Sequence, residues 1–255
     1  MPVRVLPRRT SAPGSAADDT PARLRLFCLP HAGGGLGTFR GWVDLLPGDV
    51  ELAVPCLPGR DARAAEPPLA CMAGLVGRLA DDLEDGLDKP YALFGHSLGA
   101  LVAFDLAHEV TRRGGPPPTA LVVSGQRAPS VPYPHKPVFR LDDDAFIDAV
   151  QARHDAIPAA ILAHGEMLTH YRRLLRADFT LVEDYGYTRR ARLPCPIVCI
   201  RGEDDKFVTA EHAVGWREET LSDCEFVTVP GGHFYPRDLQ GPLFRILSRV
   251  LGQEP

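Results

Sequence analysis

The chain has 255 residues, of which 45% are hydrophobic and 24% are charged, a composition typical of soluble globular proteins. Its formal net charge of −5 at pH 7 gives no indication of the basic surface that nucleic-acid binding needs, and no apolar run approaches the roughly 18 residues of a membrane span. We therefore expect neither a nucleic acid nor a membrane among its partners. The length suits one α/β domain with a full hydrophobic core.

The N-terminal segment, residues 1–22, differs in composition from the rest of the chain. It is rich in proline, alanine, arginine and serine, and it lacks the apolar stretch of about 7–15 residues that a secretory signal requires. We expect residues 1–22 to form a disordered tail, with a transit peptide as the alternative, and residues 23–255 to form one domain. The cysteines form no CxxC pair, so we expect no zinc site. Without a secretory signal, we expect them to be buried, reduced thiols in a cytoplasmic protein.

Short, nearly continuous apolar runs alternate along the chain with amphipathic segments. Such runs are typical of strands buried on both faces of a parallel sheet. We predict strands at 23–29, 51–56, 90–95, 119–125, 195–202 and 225–231. We predict helices at 69–87, 98–114, 209–220 and 235–252. This alternation indicates βαβ units, and hence an α/β fold with a mostly parallel central sheet flanked by helices.

One region, residues 127–192, interrupts the alternation. It has no strand pattern, and its sequence predicts two or more helices. A helical segment of this length between two strands is too long for a simple crossover. It is therefore expected to be either a cap over the edge of the sheet, of the kind that forms substrate lids, or a small second domain.

Residues 95–99, Gly-His-Ser-Leu-Gly, fit the pattern G-x-S-x-G between an apolar strand and a helical segment. The glycines of this pattern remove Cβ atoms that would collide where strand and helix approach each other, and the serine hydroxyl is exposed above the sheet. The helix beginning at Leu98 adds N–H groups and the positive end of its dipole. We predict that Ser97 is a nucleophile; the alternative is an ordinary strand-to-helix connection that contains a serine.

A serine nucleophile needs a base, and the base needs an orienting acid. Where this motif occurs, the chain order is serine, acid, histidine. Of the nine histidines, His233 alone lies in a loop after the last predicted strand, so we predict that it is the base and that His96 packs beside Ser97. The acid is expected in the loop after the preceding strand, where Asp205 is favoured within G-x-x-D-x-x-V and Asp204 is the alternative.

The oxyanion that forms during acyl transfer needs two backbone N–H donors. One is expected from Leu98, the residue after the nucleophile. The other is expected from the glycine-rich loop 29–39 after the first predicted strand, where we favour Ala32 over Gly33. A phosphate cradle is disfavoured because the loop has neither G-x-G-x-x-G with an acidic ribose ligand nor the GK[ST] of a P-loop.

Six separated motifs stand out along the chain: LPHAGGG, LPGR, FGHSLGA, LRADF, RGEDDKFV and GGHFY. Together they resemble the type II thioesterases of polyketide and non-ribosomal peptide biosynthesis over residues 23–251. PHAGG, RADF and GGHF are more specific to that family than GHSLG. The resemblance implies an α/β-hydrolase fold with a helical lid at 127–192, and it assigns Ser97 as nucleophile, Asp205 as acid and His233 as base.

The resemblance also implies an activity and a partner. Such enzymes hydrolyse acyl groups from the phosphopantetheine arm of acyl or peptidyl carrier proteins, acting in trans on aberrant or stalled units. The N–H groups of Leu98 and Ala32 would hold the oxyanion. No metal or organic cofactor is implied, and we expect a stand-alone, monomeric enzyme.

Carrier proteins are usually acidic, so docking on this acidic chain requires a local basic patch. The candidate side chains are Arg60, Arg63, Arg172, Arg173, Arg176, Arg189, Arg190 and Arg192. The alternative is an ordinary solvated charged face. Within LRADF, Arg176 and Asp178 are expected to anchor neighbouring backbone, with a plain surface ion pair as the alternative.

Three other functions fit part of this pattern. A carboxylesterase or lipase shares the same three catalytic residue types, and an acyltransferase passes the acyl group to an alcohol or amine instead of water. A non-catalytic binding module on the same fold is disfavoured, because it predicts a missing member of the set and all three candidates are present.

Overall fold

The structure is a computed structural model that describes residues 3–7, 21–154, 157–238 and 240–252. Within these ranges, strands form one seven-stranded sheet in the order β1-β3-β2-β4-β5-β6-β7. The strands are β1 Val3–Val5, β2 Leu24–Leu29, β3 Val50–Pro55, β4 Tyr91–His96, β5 Leu121–Ser124, β6 Ile197–Gly202 and β7 Cys224–Val229. Neighbours from β3 to β7 run parallel, and β1 is antiparallel to β3. The predicted α/β fold and its six predicted strands are confirmed.

Helices cover both faces and one edge of this sheet. They are α1 Met72–Leu83, α2 Leu98–Arg112, α3 Asp143–His154, α4 Ala159–Leu162, α5 Gly165–Glu183, α6 Ala210–Val214, α7 Tyr235–Asp238 and α8 Gln240–Val250. The predicted helix 209–220 is shorter than expected, because α6 passes into a 3-10 turn at Gly215–Glu219. The predicted helix 235–252 corresponds to α7 and α8, and residue 239 between them lies outside the described residues.

The central strand β4 shows why the strands are continuously apolar. Successive side chains of a strand point to opposite faces. Tyr91 and Leu93 pack into the apolar layer formed with α1 and α2, whereas Ala92 and Phe94 pack into the layer on the other face, with Trp42 and α8. Because both faces are covered, every residue of β4 is buried.

The topology gathers the loops that carry the candidate site. The parallel strands β2, β4, β6 and β7 all end at the same edge of the sheet. In open α/β sheets this carboxyl edge is where sites form. The glycine-rich loop, the turn at Ser97, and the loops that hold Asp205 and His233 leave the sheet at this edge.

Residues Val3–Val5 correct the prediction of a disordered tail over residues 1–22. They form β1, with Val3 opposite Pro55 and Val5 opposite Ala53. The segment Val-Arg-Val has two β-branched residues, and the outer edge of β3 offers backbone groups for pairing. Residues 1–2 and 8–20 of the predicted tail lie outside the described residues.

The segment between β5 and β6 contains α3, α4 and α5, and its described part includes no strand. We call residues 127–192 the lid insertion. It has an apolar cluster of its own, formed by Val138, Phe146, Ile147, Val150, Ile157, Leu175 and Phe179. Ala32 and Phe234, from the loops after β2 and β7, pack against this cluster. The insertion therefore covers the carboxyl edge of the sheet.

Candidate active site

Ser97 occupies the sharp turn between β4 and α2. Its backbone has φ 54° and ψ −119°, in the left-handed region that a residue with a side chain rarely adopts. A Cβ on Gly95 would lie 2.1 Å from the carbonyl oxygen of Gly99, and a Cβ on Gly99 would lie 2.1 Å from that of Leu29. Both glycines are required by the close approach of strand and helix, as the motif predicts.

The structure brings together the three residues predicted as nucleophile, acid and base. The Ser97 hydroxyl lies 3.1 Å from Nε2 of His233, and Nδ1 of His233 lies 2.8 Å from Oδ2 of Asp205. The other oxygen of Asp205 accepts from the N–H groups of Phe207 and Val208 at 2.9 and 3.2 Å. This series orients the imidazole so that Nδ1–H donates to the carboxylate and Nε2 faces the hydroxyl.

The same loops distinguish the two candidate acids. Asp205 is buried, with 6% of its surface exposed, whereas Asp204 is exposed and donates its N–H to the carbonyl of Gly231. A Cβ on Gly202 would lie 2.4 Å from the Gly231 oxygen, so the loops after β6 and β7 touch here. That contact brings Asp205, and not Asp204, against His233.

The two predicted oxyanion donors lie close to Ser97, one next to it in the chain and one in the same pocket. Leu98 is the first residue of α2, where N–H groups have no partner within the helix. Ala32 lines the same pocket as Ser97. The alternative donor, Gly33, gives its N–H to Oδ2 of Asp178 at 2.7 Å. Its N–H is therefore committed elsewhere, and the geometry favours Ala32.

Asp178, within the motif LRADF, accepts hydrogen bonds from two distant segments of the chain. It is 1% exposed, and besides the N–H of Gly33 it accepts two hydrogen bonds from Arg60, at 2.8 and 2.7 Å. Arg176 donates to the carbonyls of Phe139 and Leu141 at 2.6 and 2.7 Å. Both side chains therefore anchor backbone, as predicted. The alternative of a surface ion pair is wrong for Asp178, whose partner Arg60 is buried, whereas Arg176 also pairs with the exposed Asp143.

His96 packs against His233, with ring centroids 5.2 Å apart, and its hydrogen bond is made to a residue other than Ser97. It is 3% exposed, and its Nδ1 lies 2.8 Å from the hydroxyl of Ser124, which in turn hydrogen-bonds the hydroxyl of Tyr235. Burial holds the pKa of His96 well below its usual value. His96 thus packs against the predicted base, and the structure gives it no role as the base itself. The hydrogen bonds of Ser124 and Tyr235 were not predicted, although Tyr235 belongs to the motif GGHFY.

His31, the residue before Ala32, is a second neutral imidazole at the site. Burial, with a smaller contribution from Arg237, lowers the pKa of His31 to about 3. Its ring contacts that of Phe234 edge to face, with centroids 5.2 Å apart. The site therefore surrounds His233 with histidines that stay uncharged at neutral pH.

The hydroxyl of Ser97 faces a pocket of about 640 Å³, part of which is open to solvent. Apolar and aromatic side chains form much of its wall, among them Tyr133, Phe179, Val182, Phe207, Val208 and Phe234. Phe179 and Val182 belong to α5, so the lid insertion supplies one side of the pocket. A wall of this kind accommodates an apolar group next to the hydroxyl.

Within the described ranges, neither a candidate metal cluster nor a membrane-spanning helix is found. No group of three or more His, Cys, Asp or Glu side chains within them is arranged to hold a metal ion. No helix there combines the length and apolarity needed to traverse a bilayer.

The structure corrects the predicted docking patch at two of its arginines. Arg60 is buried against Asp178, and Arg63 is buried against Glu66 and Asp82. Both follow β3 and turn into the molecule, where Asp178 of α5 holds Arg60, and Asp82 of α1 together with the neighbouring Glu66 holds Arg63. Neither belongs to an exposed basic surface.

The remaining arginines of that set lie on or beside the lid insertion. Ion pairs join Arg172 and Arg176 to Asp143, Arg190 to Asp105, and Arg192 to Glu218. Arg173 and Arg189 are exposed, and within the described part of the chain no ion pair engages either of them. The exposed, uncompensated positive charge is therefore smaller than the sequence suggests.

Comparison with known proteins identifies relatives of this chain. A family model described as a thioesterase domain matches residues 24–251. The gramicidin S biosynthesis protein GrsT of Aneurinibacillus migulanus is 35% identical over 230 residues, which cover 90% of this chain and 90% of that protein.

Solved structures show the same similarity in three dimensions. The thioesterase RedJ from the prodiginine biosynthetic pathway in Streptomyces coelicolor matches with a TM-score of 0.85 and 34% identity, over 96% of this chain and 97% of that one. YbtT, a type II thioesterase from the yersiniabactin NRPS/PKS biosynthetic pathway, matches with a TM-score of 0.82 and 28% identity, over 98% of both chains.

Proposed function

The chain belongs to the thioesterase family, as its motifs indicated, and on this premise we propose that it is a serine hydrolase of carrier-bound acyl thioesters. Its substrates would be acyl groups on the phosphopantetheine arm of acyl or peptidyl carrier proteins, from which it removes aberrant or stalled units in trans. The observation that carries the proposal is the hydrogen-bonded series from Asp205 through His233 to Ser97, facing a largely apolar pocket.

The first proposed step acylates Ser97. Nε2 of His233 takes the hydroxyl proton while Oγ attacks the thioester carbonyl carbon, and the carbonyl π electrons move to the oxygen. The N–H groups of Leu98 and Ala32 donate to this oxyanion, and Asp205 stabilises the imidazolium. The carbonyl then re-forms, the C–S bond breaks with its electron pair on sulfur, and His233 returns the proton to the departing thiolate.

The second proposed step releases the acyl group. A water molecule takes the position of the thiol, His233 removes one of its protons, and the resulting hydroxide attacks the acyl-serine carbonyl. The same two N–H groups hold the second oxyanion. When it collapses, the C–O bond to Ser97 breaks and His233 protonates Oγ, which leaves a free carboxylic acid. The proposed route uses only residues of this chain and water, with no metal or organic cofactor.

The neutral histidines around the site support this assignment of roles. With His31 and His96 uncharged, no neighbouring imidazolium opposes the positive charge that His233 acquires in each step. The apolar wall from Phe179, Val182 and Phe234 suits an acyl chain better than a charged substrate.

The test is intact-mass analysis of acyl-carrier proteins incubated with the enzyme. The wild type is expected to remove the acyl mass and leave the free phosphopantetheine thiol, whereas Ser97→Ala leaves acyl-carrier at the level of buffer alone. Equal deacylation by Ser97→Ala would contradict the proposal. Two comparisons separate the rivals, since a higher kcat/KM on nitrophenyl esters indicates a carboxylesterase, and acyl capture by added alcohols or amines indicates an acyltransferase.

Docking of an acidic carrier is proposed to use the exposed Arg173 and Arg189. The double reversal Arg173→Glu with Arg189→Glu is expected to raise KM for acyl-carrier substrates about tenfold and to leave KM for a small acyl thioester unchanged. Arg112→Glu, at the far end of α2 from the site, serves as a charge-reversal control, and its Tm is measured as well because Arg112 pairs with Glu109. An equal effect on both substrates would remove this docking surface from the proposal.

A further inference from the structure

The lid helix α5 holds Gly33 by both of its backbone polar groups. The N–H of Gly33 donates to Asp178 at 2.7 Å, and the hydroxyl of Tyr171 donates to the carbonyl of Gly33 at 3.3 Å. Tyr171 and Asp178 lie two helical turns apart and so share one face of α5. The contact is close, because a Cβ on Gly33 would lie 2.4 Å from the Tyr171 hydroxyl.

Gly33 is the third residue of a turn that contains Ala32. The N–H of Gly34 donates to the carbonyl of His31 at 2.9 Å, and Gly33 has φ +77°, as glycine does at this position of a type II turn. In a trans peptide the carbonyl of His31 and the N–H of Ala32 point in opposite directions. Because the carbonyl is used inside the turn, the Ala32 N–H is directed away from it.

A buried ion pair holds the helix in register with this turn. Arg60 donates twice to Asp178 and once to the carbonyl of Gly34, at 2.8 Å. Arg60 and Asp178 are 8% and 1% exposed, so water cannot readily substitute for either partner. The motifs LPHAGGG, LPGR and LRADF, which come from three separate segments, therefore meet at one point beneath the Ala32 turn.

We propose that Asp178 and Tyr171 are positioning residues through which α5 sets the Ala32 N–H, so that the oxyanion hole is complete only when α5 is seated on Gly33. The inference rests on the proposed function, and it adds a second role for the lid insertion. The lid would not only enclose the acyl group but also complete the electrostatic machinery of the core. A displacement of α5 would weaken stabilisation of the oxyanion as well as move the pocket wall that Phe179 and Val182 supply.

The test compares Asp178→Asn with Arg176→Gln, two residues away on the same helix. An amide has one acceptor oxygen, so it cannot accept from Nη2 of Arg60 as well as from the two groups that now share Oδ2, and its NH2 group would face the guanidinium. The pair with Arg60, and with it the turn, is therefore expected to loosen. Asp178→Asn should lower kcat on a small acyl thioester about 100-fold, the size expected for a reacting group misplaced by about 1 Å, with KM changed less than about threefold. Arg176→Gln removes contacts within the lid insertion only, to the carbonyls of Phe139 and Leu141, to Asp143 and to the ring of Phe146, and should change kcat less than about threefold.

A transition-state analogue separates positioning from general damage. An alkyl trifluoromethyl ketone adds to Ser97 and places an oxyanion between the two N–H groups, so its Ki should rise in Asp178→Asn by the same factor by which kcat falls. Unchanged Ki and kcat in Asp178→Asn would overturn the inference. Equal losses in Asp178→Asn and Arg176→Gln, accompanied by equal falls in Tm, would also overturn it, because they indicate a purely structural role.

Tyr171→Phe tests the same inference if Asp178→Asn does not fold. Loss of one neutral hydrogen bond should lower kcat and raise the ketone Ki about fivefold, and no change in either value overturns the inference. If the proposed function is wrong, the result differs from the one expected when only the role of α5 is wrong. A wild type that binds the ketone but turns over no thioester refutes the function, while the ratio of ketone Ki values still tests the role of α5.

Discussion

The sheet and the lid insertion are held in place by different interactions. In the sheet, side chains such as Phe27, Leu93 and Phe94 are fully buried between two continuous apolar layers. The lid insertion has a smaller apolar cluster, and buried charged side chains form its joints. Asp178 attaches α5 to the turn at Gly33, and Glu183 accepts from the N–H groups of Val138 and Phe139 at 2.7 and 3.0 Å.

This difference shows how a small helical layer obtains a defined position. Apolar burial is strong but non-directional, so it fixes a sheet with thick layers on both faces better than it fixes the three helices of the lid insertion. A carboxylate on a backbone N–H is directional, and it specifies where one segment lies against another. The position of the lid insertion therefore depends on a few charged residues.

The largest expected effect is a loss of catalytic rate when Asp205, in the loop after β6, is replaced. Asp205→Asn should lower kcat about 10⁴-fold, because an amide does not hold His233 in the tautomer with hydrogen on Nδ1. The free energy of unfolding should change little, since neighbouring N–H groups can still bond the amide oxygen. Asp204→Asn, the exposed neighbour, is the control and should retain activity within about twofold. A comparable loss in Asp204→Asn would show that the loop after β6 is misassigned.

The next largest effect is a loss of stability when Gly99, at the contact between α2 and the sheet, is replaced. Gly99→Ala should lower the free energy of unfolding by about 4 kcal/mol, because its Cβ would lie 2.1 Å from a backbone oxygen that cannot move freely. Gly74→Ala, at an exposed position of α1 with no atom closer than 3.9 Å, should instead raise it by up to about 1 kcal/mol. Urea denaturation of both variants measures the contrast. Equal stabilities would mean that strand and helix are farther apart than the structure has them.

An intermediate effect is expected in the lid insertion alone. Glu183→Ala removes the acceptor for the N–H groups of Val138 and Phe139, so the local opening free energy of residues 138–150 should fall by about 2 kcal/mol. Hydrogen exchange should show the change there and not in β4. Glu166→Ala, exposed in the first turn of α5, is the control. Faster exchange in β4 would contradict the idea that the two regions are held separately.

The smallest effect is a pH dependence located in the sheet region. Burial lowers the pKa of His96 in the folded state, so as pH falls below about 6.5 the unfolded chain binds a proton that the folded chain does not. The free energy of unfolding should therefore fall with decreasing pH, by at most about 1.4 kcal/mol per pH unit from this group. His96→Asn should show a shallower slope between pH 6.5 and 4.5. Its stability at pH 8, where imidazole is neutral in both states, measures the loss of packing separately. An unchanged slope would contradict a neutral, buried His96.

Much of the fold could be predicted because its signals are local. Uninterrupted apolar runs indicated β2 to β7, and the loop positions of Ser97, Asp205 and His233 followed from the order of those strands. The strand at Val3–Val5 escaped prediction because three residues carry almost no periodicity, and its stability comes from the edge of β3. The end of α6 was misplaced because an α-helix and a 3-10 turn share nearly the same sequence pattern.

The sequence by itself determined the α/β architecture, the turn that presents Ser97, and the chain order of the three candidate catalytic residues. Each follows from short-range periodicity or from the steric need for glycine. The tertiary structure alone decided that Asp205 and not Asp204 meets His233, that Arg60 points inward, and that Asp178 takes the N–H of Gly33. These outcomes depend on which groups are buried together from segments far apart in the chain, 145 residues in the case of Gly33 and Asp178, and no local pattern encodes that pairing.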